Sequence, residues 1–288
     1  DFSLSRGLGD VYKRQIREQA NKLKPKMIVA GASAYSRQIH WYLFREIADE
    51  VGAYLLCDMA HYSGLIAGGQ FQDPLREGAD VMTGSSHKTF PGPQGGFVLS
   101  NSSDEKFHRK LNNSIFPGTC SSYHLHHVAG KAVALAEFEE FGNDYARDIV
   151  SNAKALAVAL AAEGFDVLAE DRGYTASHQV LTRHGEIDSG AGRKAAEILE
   201  QSGIITNMNM LPGDTKAMQP SGLRLGVPEL TRVGMGTDEM TDVANFFARA
   251  LIKNEDTSKI KSDVKSFKSN YQTVKYCFES GPAYSNLE

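Results

Sequence analysis

The stretch that decides the fold covers residues 27–61 and reads MIVAGASAYSRQIHWYLFREIADEVGAYLLCDMAH. Residues 27–30 form a continuous apolar run, which predicts a buried strand. Residues 41–51 carry apolar side chains at helical spacing and are followed by Gly52, a residue type that commonly ends helices. A second apolar run over residues 53–57 predicts the next strand. This order of strand, helix and strand is typical of a parallel sheet.

The same alternation continues along the chain and indicates an α/β protein with a mostly parallel sheet. Further strands are expected at residues 81–83 and 96–99, the second of them after a glycine-proline loop. Two helices follow, over about residues 123–141 and over residues 145–163. We assign residues 16–143 to one large domain.

Beyond residue 143 the elements become those of a smaller α/β domain, which we place at residues 144–253. Its expected strands cover residues 165–168, 179–182, 204–206 and 223–227, and its expected helices cover residues 191–201 and a segment opening at Thr237. The tail, residues 254–288, is charged and then bears glycine and serine. We expect it to form one helix followed by loose chain.

The first fifteen residues, DFSLSRGLGDVYKRQ, show neither helical nor strand periodicity. Their end resembles translated adaptor sequence from a sequencing library, which would make residues 1–15 a non-native lead. A native flexible terminus is the alternative. These residues are left out of the fold prediction.

Composition favours a globular protein that acts on a small molecule. Of the 288 residues, 41% are hydrophobic and 23% are charged, and the net charge of -4 gives no electrostatic reason to expect nucleic acid or anionic membrane as a partner. No apolar run approaches the roughly 20 residues of a membrane span. The three cysteines lack metal-site spacing and favour a reducing compartment, so we expect a cytoplasmic protein.

Three polar residues follow predicted strands: Ser33, Asp58 and Lys88. In open α/β sheets, ligands bind beyond the carboxyl ends of strands. Lys88 lies in the run GSSHKTFPGPQGG, residues 84–96, where its amine is well placed to form an imine with an aldehyde. Pyridoxal phosphate requires such a lysine together with a carboxylate near its pyridine nitrogen. Alone, Lys88 or Asp58 would more often be a solvated or turn residue, but the pair favours this cofactor.

Six ordered motifs make the chain resemble the serine hydroxymethyltransferase family of type I pyridoxal-phosphate enzymes, and the resemblance covers about residues 16–253. They are GASAY (31–35), FREIADEVGAY (44–54), DMAH (58–61), SHKT (86–89), FPG (116–118) and SGLRLG (221–226). Any one of them would be weak evidence, whereas six in order are specific. The resemblance implies the type I fold, represented here by the C-terminal part of the large cofactor-binding domain and by the small domain.

The resemblance implies roles around the cofactor for the matching residues. Lys88 would bond to pyridoxal phosphate, Asp58 would pair with the pyridinium, and Ser33 would lie close to the ring and its phenolic oxygen. His61 would lie against the cofactor, with a core histidine bonded to backbone as the alternative. Ser86 and His87 are expected beside the cofactor as well. We give His87 a positioning role rather than a metal role, because the nine histidines lack metal-site spacing.

The resemblance also implies a substrate site and a shared active site. The carboxylate-binding arginine of the family matches Arg224, and a guanidinium holds a carboxylate in one plane through two parallel hydrogen bonds. A surface arginine on an edge strand is the alternative. Asn209 resembles a residue near the folate pteridine. Gly118 begins a loop that would reach the cofactor phosphate of the neighbouring subunit in a homodimer.

The implied reaction interconverts serine and glycine by retro-aldol cleavage of the Cα–Cβ bond, with tetrahydrofolate as the one-carbon carrier. The loop at residues 118–123 lacks the glycine pair common in the family, and Gln94 stands where many members have arginine. These departures resemble the archaeal-type branch or the threonine transaldolases, so a threonine aldolase or transaldolase is a second interpretation. Family chains begin with a long segment upstream of the Ser-Ala-Tyr motif. We therefore expect a truncated chain, and a catalytically silent fragment is a third interpretation.

Overall fold

A computed structural model describes residues 14–283 of the chain. The chain divides into two compact units. The first takes the residues up to Ser33 together with Ile39–Ser63 and Gln72–Ala134; the second takes Ala34–Gln38, Gly64–Phe71 and the residues from Leu135 onward. The lead predicted at residues 1–15 lies outside the described residues, except for residues 14 and 15, which are helical.

The first unit is built on a four-stranded sheet. Its elements in chain order are α1 (residues 14–23), β1 (Met27–Gly31), α2 (Trp41–Val51), β2 (Tyr54–Asp58), the start of α3 (Ser63–Ala67), β3 (Val81–His87), β4 (Pro91–Leu99) and α4 (Glu105–Ile115). The strand order is β1-β2-β3-β4. Strands β1, β2 and β3 are parallel, and β4 is antiparallel to β3. The predicted mostly parallel sheet is confirmed for this unit.

Helix α2 matches its prediction at both ends. Gly52 adopts a left-handed conformation with φ 69°, and its N–H donates to carbonyls of the last helical turn. The buried side chains of the helix are Trp41, Ile47 and Ala48. Arg45 Nη1 lies 2.8 Å from Asp80 Oδ2, and the same oxygen accepts the Leu55 N–H at 2.7 Å. This carboxylate therefore ties the crossover helix to β2.

Strand β1 has its predicted position but not its predicted burial. It lies at the edge of the described sheet, and Val29 is 65% exposed. Residues 27–30 are apolar enough for a buried strand. Burial also depends on which elements cover the two faces of the sheet, and the local sequence does not show which elements those are. Strand β2 begins one residue later than predicted.

Strands β3 and β4 are longer than predicted and form a hairpin. The glycine-proline stretch that was predicted as a loop is the first half of β4. Glycine is required in this hairpin, because a side chain at Gly84 would overlap the ring of Phe97 on the opposite strand. Lys88 consequently lies in a short turn, residues 88–90, directly after β3.

Helix α5 (Leu125–Ala162) is one helix of 38 residues where the sequence predicted two. The predicted break falls at Gly142 and Asn143. These residues do not form a turn, and instead they contact Gly68 within the second unit. Asn143 Nδ2 donates to the Gly68 carbonyl at 3.0 Å, and a side chain at Gly68 would overlap the Gly142 carbonyl. A glycine inside a helix costs only about 1 kcal/mol relative to alanine, so a long helix can accommodate one.

The second unit contains an antiparallel sheet with the strand order β5-β6-β8-β7. Its elements after α5 are β5 (Asp166–Val167), β6 (Gln179–Arg183), α6 (Ala191–Gln201), β7 (Asn207–Asn209), β8 (Gly222–Gly226), α7 (Pro228–Arg232), α8 (Glu239–Leu251) and α9 (Thr257–Lys268). Helix α6 matches its prediction, whereas α8 begins two residues after Thr237. The strand predicted at residues 204–206 is wrong, because the Ile204 N–H still donates to the Leu199 carbonyl at the end of α6.

The chain beyond α9 is packed where the sequence predicted loose chain. The Tyr276 hydroxyl donates to Asp148 Oδ2 on α5 at 2.7 Å, and Arg232 Nη1 donates to the Tyr276 carbonyl at 2.7 Å. The rings of Tyr145 and Tyr276 lie 5.0 Å apart between centroids. Residues 271–283 thus form a C-terminal strap along the middle of α5, between Glu137 and Asp148.

His184, directly after β6, makes the stability of the second unit depend on pH. Burial lowers the pKa of His184 to about 4, against the opposing effect of Asp166. An unfolded histidine titrates near pH 6.5. Between these two values the unfolded chain binds more protons than the folded chain, so folding loses stability as the pH falls through this window.

We expect the free energy of unfolding to decrease by on the order of 2–3 kcal/mol through this histidine as the pH falls from about 7 to about 4. Urea unfolding across this range measures the decrease. A His184→Asn variant should show a flatter pH dependence than the parent chain, because it cannot take up the proton. Equal pH dependence in the two proteins would contradict the assignment.

Candidate active site

The carboxyl ends of β1, β2 and β3 lie side by side in the first unit. The parallel register pairs Gly31 with Asp58 and Asp58 with Thr83. Ser33 follows β1 by two residues, Asp58 ends β2, and Lys88 follows β3. All three side chains are exposed. The sheet thus brings the three residues that the sequence singled out to the end where ligands of open α/β sheets bind.

Asp58 is held by the backbone around it. Its Oδ1 accepts the Ala60 N–H at 3.0 Å, and a side chain at Gly31 would overlap the Asp58 carbonyl. The preceding residue, Cys57, is buried, and burial raises the pKa of its thiol to about 12. A thiol with so high a pKa stays protonated and is a poor nucleophile. Asp58 is therefore the residue of this strand end that can act on a ligand.

The residues just before Lys88 are bonded to β4. Ser86 is buried, and its hydroxyl donates to the Pro93 carbonyl at 2.8 Å. The Gly95 N–H donates to Nδ1 of His87 at 3.2 Å. Both contacts support positioning roles in the hairpin, and the cofactor contacts expected of Ser86 and His87 stay predictions.

Two hydroxyl residues join the segment after β2 to the segment around Lys88, and the sequence assigned neither a role. Thr89 is 1% exposed and donates to the His61 carbonyl at 2.9 Å. Ser63 is 3% exposed and accepts the Ser85 N–H at 3.2 Å. His61 itself is half-buried. The bonded residues are 28 and 22 positions apart, so no local pattern could have signalled the contacts.

Gly118 lies just beyond the end of α4. Its N–H donates to the Asn113 carbonyl at 3.0 Å, and a side chain at this position would lie 2.7 Å from the same oxygen. Glycine is thus required for this close approach. The residues that follow, 119–123, are exposed. A phosphate contact from this loop stays a prediction.

In the second unit, Arg224 lies on β8, between β6 and β7. It is therefore not on an edge strand, which was the alternative to a substrate-binding role. Its Nη2 donates to Oδ1 of Asn207, the paired residue on β7, at 3.2 Å. The side chain is half-buried. This contact orients the guanidinium through one of its five N–H groups.

Asn209 ends β7, and its amide donates to the Met210 carbonyl at 2.6 Å. The loop that follows is closed by Asp214, whose Oδ2 accepts the N–H groups of Leu211 and Ser221 at 2.9 Å each. Desolvation acts to raise the pKa of Asp214, but the hydrogen bonds from the backbone and from Ser221 outweigh it and hold the pKa well below its usual range. The folate contact of Asn209 stays a prediction.

Within the described residues, no group of three or more His, Cys, Asp or Glu side chains is arranged to hold a metal ion. The rings of His124, His126 and His127 lie 4.5–5.5 Å apart between centroids at the start of α5. None of the helices in residues 14–283 is both long enough and apolar enough to cross a membrane.

Comparison with known proteins gives one consistent result. The sequence profile described as serine hydroxymethyltransferase matches residues 2–247. Curated serine hydroxymethyltransferases of Pyrococcus horikoshii and Methanocella arvoryzae are each 51% identical over 94% of this chain, which spans 64% and 62% of their lengths. The solved L-threonine transaldolase of Pseudomonas fluorescens gives a TM-score of 0.85 at 31% identity, covering 92% of this chain and 60% of that one. The predicted fold is confirmed by these likenesses.

The close pairing of Gly31 with Asp58 can be tested by adding one methyl group. Gly31→Ala should lower the free energy of unfolding by about 1–3 kcal/mol, because the new side chain meets the Asp58 backbone. Gly281→Ala is the matched control, since a side chain there would have no atom within 4 Å. Its effect should stay within about 0.5 kcal/mol. Equal urea-unfolding midpoints for the two variants would contradict the pairing.

Proposed function

This chain belongs to the serine hydroxymethyltransferase family, and from that membership we propose that the whole protein interconverts serine and glycine, with pyridoxal phosphate as cofactor and tetrahydrofolate as one-carbon carrier. One observation carries the proposal. Asp58 ends β2 and Lys88 directly follows the neighbouring parallel strand β3, at the end of the sheet where ligands of such folds bind.

The side chains at this end of the sheet fit pyridoxal phosphate. Lys88 offers a primary amine and Asp58 offers a carboxylate, and both are exposed. When bound, this cofactor supplies an aldehyde that bonds to amines and a ring that accepts electrons. Lys88 would hold the aldehyde carbon, and Asp58 would keep a proton on the pyridine nitrogen. Ser33 and His61 would flank the ring.

Arg224 would bind the substrate in this proposal. Two parallel hydrogen bonds from a guanidinium fix the plane of a carboxylate, and through it the direction of the bonds at Cα. Asn207 supports this role, since its contact already orients the guanidinium. Breaking the Cα–Cβ bond of serine, with loss of the hydroxyl proton, would release the side-chain carbon as formaldehyde for tetrahydrofolate, and a proton taken up at Cα would leave glycine. Asn209 would lie near that carrier.

A second candidate is an aldolase or transaldolase that acts on threonine. The structural likeness to the L-threonine transaldolase of Pseudomonas fluorescens favours it. It would use the same Lys88, Asp58 and Arg224 but no folate. Exchange of serine that depends on tetrahydrofolate supports the first candidate, and cleavage of threonine without folate supports the second.

A cytoplasmic homodimer with a shared active site completes the proposal. Near the start of α5 the side chains of Leu125, Val128 and Val133 are exposed and apolar, as at surfaces that associate. The loop after Gly118 lies just before this helix, so a second copy covering the helix would also meet that loop. The three cysteines are free, which is consistent with a reducing compartment.

Lys88→Ala tests the catalytic assignment. Mixed with pyridoxal phosphate alone, the variant should lose the visible absorbance of lysine-bound cofactor, because the amine that bonds to the aldehyde is gone. When serine is then added, the variant should cleave it far more slowly than the parent chain does. Absorbance spectra and glycine release measure the two losses. Lys110→Ala, which removes an exposed lysine on α4, is the control and should keep both. Retention of both signals in Lys88→Ala would refute the role of Lys88, and a parent chain without either would favour a silent fragment.

Val133→Asp tests the proposed homodimer. A charge in the apolar contact should shift the chain from dimer to monomer in analytical ultracentrifugation. Val158→Asp is the matched control on the second half of α5, since both valines are 57% exposed. It should leave the dimer intact. A parent chain that sediments as a monomer, or a dimer that survives Val133→Asp, would contradict the proposal.

A further inference from the structure

We infer that Thr89 and Ser63 are positioning residues for Lys88, because their buried hydroxyls hold the segment after β2 against β3 and against the turn that carries Lys88. The effect on catalysis rests on the proposed function. The effect on structure rests on contacts within the first unit alone.

Packing does not fix the positions of the Lys88 and Asp58 side chains. Lys88 and Asp58 are both exposed, so no surrounding core sets where the amine and the carboxylate lie. Their separation depends on where the two backbone segments are held. The hydrogen bonds between these segments therefore decide the geometry.

The backbone ladder between β2 and β3 stops before it reaches Lys88. The last paired residues are Asp58 and Thr83, after which the Met59 N–H donates to the Thr83 carbonyl at 2.8 Å. Strand β3 then continues beside β4, and Lys88 lies five residues beyond Thr83. Over this stretch the two segments need another connection.

The Ser63 hydroxyl provides the first connection. It donates to the Met59 carbonyl at 2.9 Å and accepts the Ser85 N–H at 3.2 Å. One buried hydroxyl thus bonds to the segment after β2 and to β3 at once. Removing it would leave the Ser85 N–H without this acceptor, and buried backbone groups are costly to leave unpaired.

The Thr89 hydroxyl provides the second connection, next to the lysine itself. It donates to the His61 carbonyl at 2.9 Å. His61 is three residues beyond Asp58, and Thr89 follows Lys88 directly. A single hydrogen bond therefore links the neighbours of the two residues proposed to act on the cofactor. Together Ser63 and Thr89 extend the link between the strands to the active lysine.

Thr89→Val removes the hydroxyl and keeps the shape of the side chain. With saturating pyridoxal phosphate, kcat for serine cleavage should fall by about 10²-fold, the typical effect of a small misplacement of a reacting group. The KM for serine should change by less than about threefold, because this variant leaves the carboxylate-binding arginine unaltered. Thr89→Ser restores the donor and should recover kcat to within about threefold.

A second measurement needs neither cofactor nor activity. In the cofactor-free chain, hydrogen exchange should become at least about fivefold faster in the peptides covering residues 58–63 and 84–90 of Thr89→Val, and should stay at the parent rate in Thr89→Ser. Thr231→Val is the control, since the Thr231 hydroxyl is also buried and donates to the Val227 carbonyl at 2.9 Å. It should leave kcat and exchange in these two peptides unchanged.

The outcomes separate the two proposals. If Thr89→Val keeps the parent exchange rates in both peptides, or if Thr231→Val lowers kcat equally, the positioning role is overturned. If the parent chain cleaves no serine while Thr89→Val still loosens both peptides, this chain is a catalytically silent fragment and the structural link stands.

Discussion

Parallel hydrogen bonding between β1, β2 and β3 is the constraint on which the candidate active site depends. Its register sets Gly31, Asp58 and Thr83 at one level of the sheet. Successive side chains of a strand point to opposite faces, so a slip of one residue would exchange Asp58 for the buried thiol of Cys57. The strand register that builds the sheet therefore also decides which side chains reach the candidate active site. Glycine at position 31 supports this register, because it admits the close pairing.

The sequence was sufficient where an element carries its own signals. Helix α2 was placed correctly at both ends because an apolar face and a left-handed glycine cap lie within a dozen residues. Helix α6 was also placed correctly. In the candidate site, Asp58 and Lys88 could be singled out because each follows a predicted strand and belongs to a family motif, and their roles stay proposals. Local signals and motifs thus gave the framework of the first unit and its main chemical groups.

The sequence was insufficient to predict the structure where contacts between residues far apart in the chain determine it. The sequence predicted two helices with a break at residues 142–144, yet Asn143 donates to the Gly68 carbonyl and α5 continues through this stretch. The apolar run at residues 204–206 suggested a strand, yet Ile204 completes the end of α6. Thr89 and Ser63 escaped notice for the same reason, since a hydroxyl that bonds across more than twenty residues leaves no local pattern.

The C-terminal strap has a consequence for how the second unit is made. Tyr276 bonds to Asp148, and the two residues are 128 positions apart in sequence. During synthesis from the N-terminus, α5 leaves the ribosome long before the residues that cover it. Contacts over such long separations also form slowly, because closing a long loop costs entropy before the contact repays it. The middle of α5 thus stays without this cover until most of the chain has been made, and this is the interval in which aggregation or chaperone binding would compete with folding.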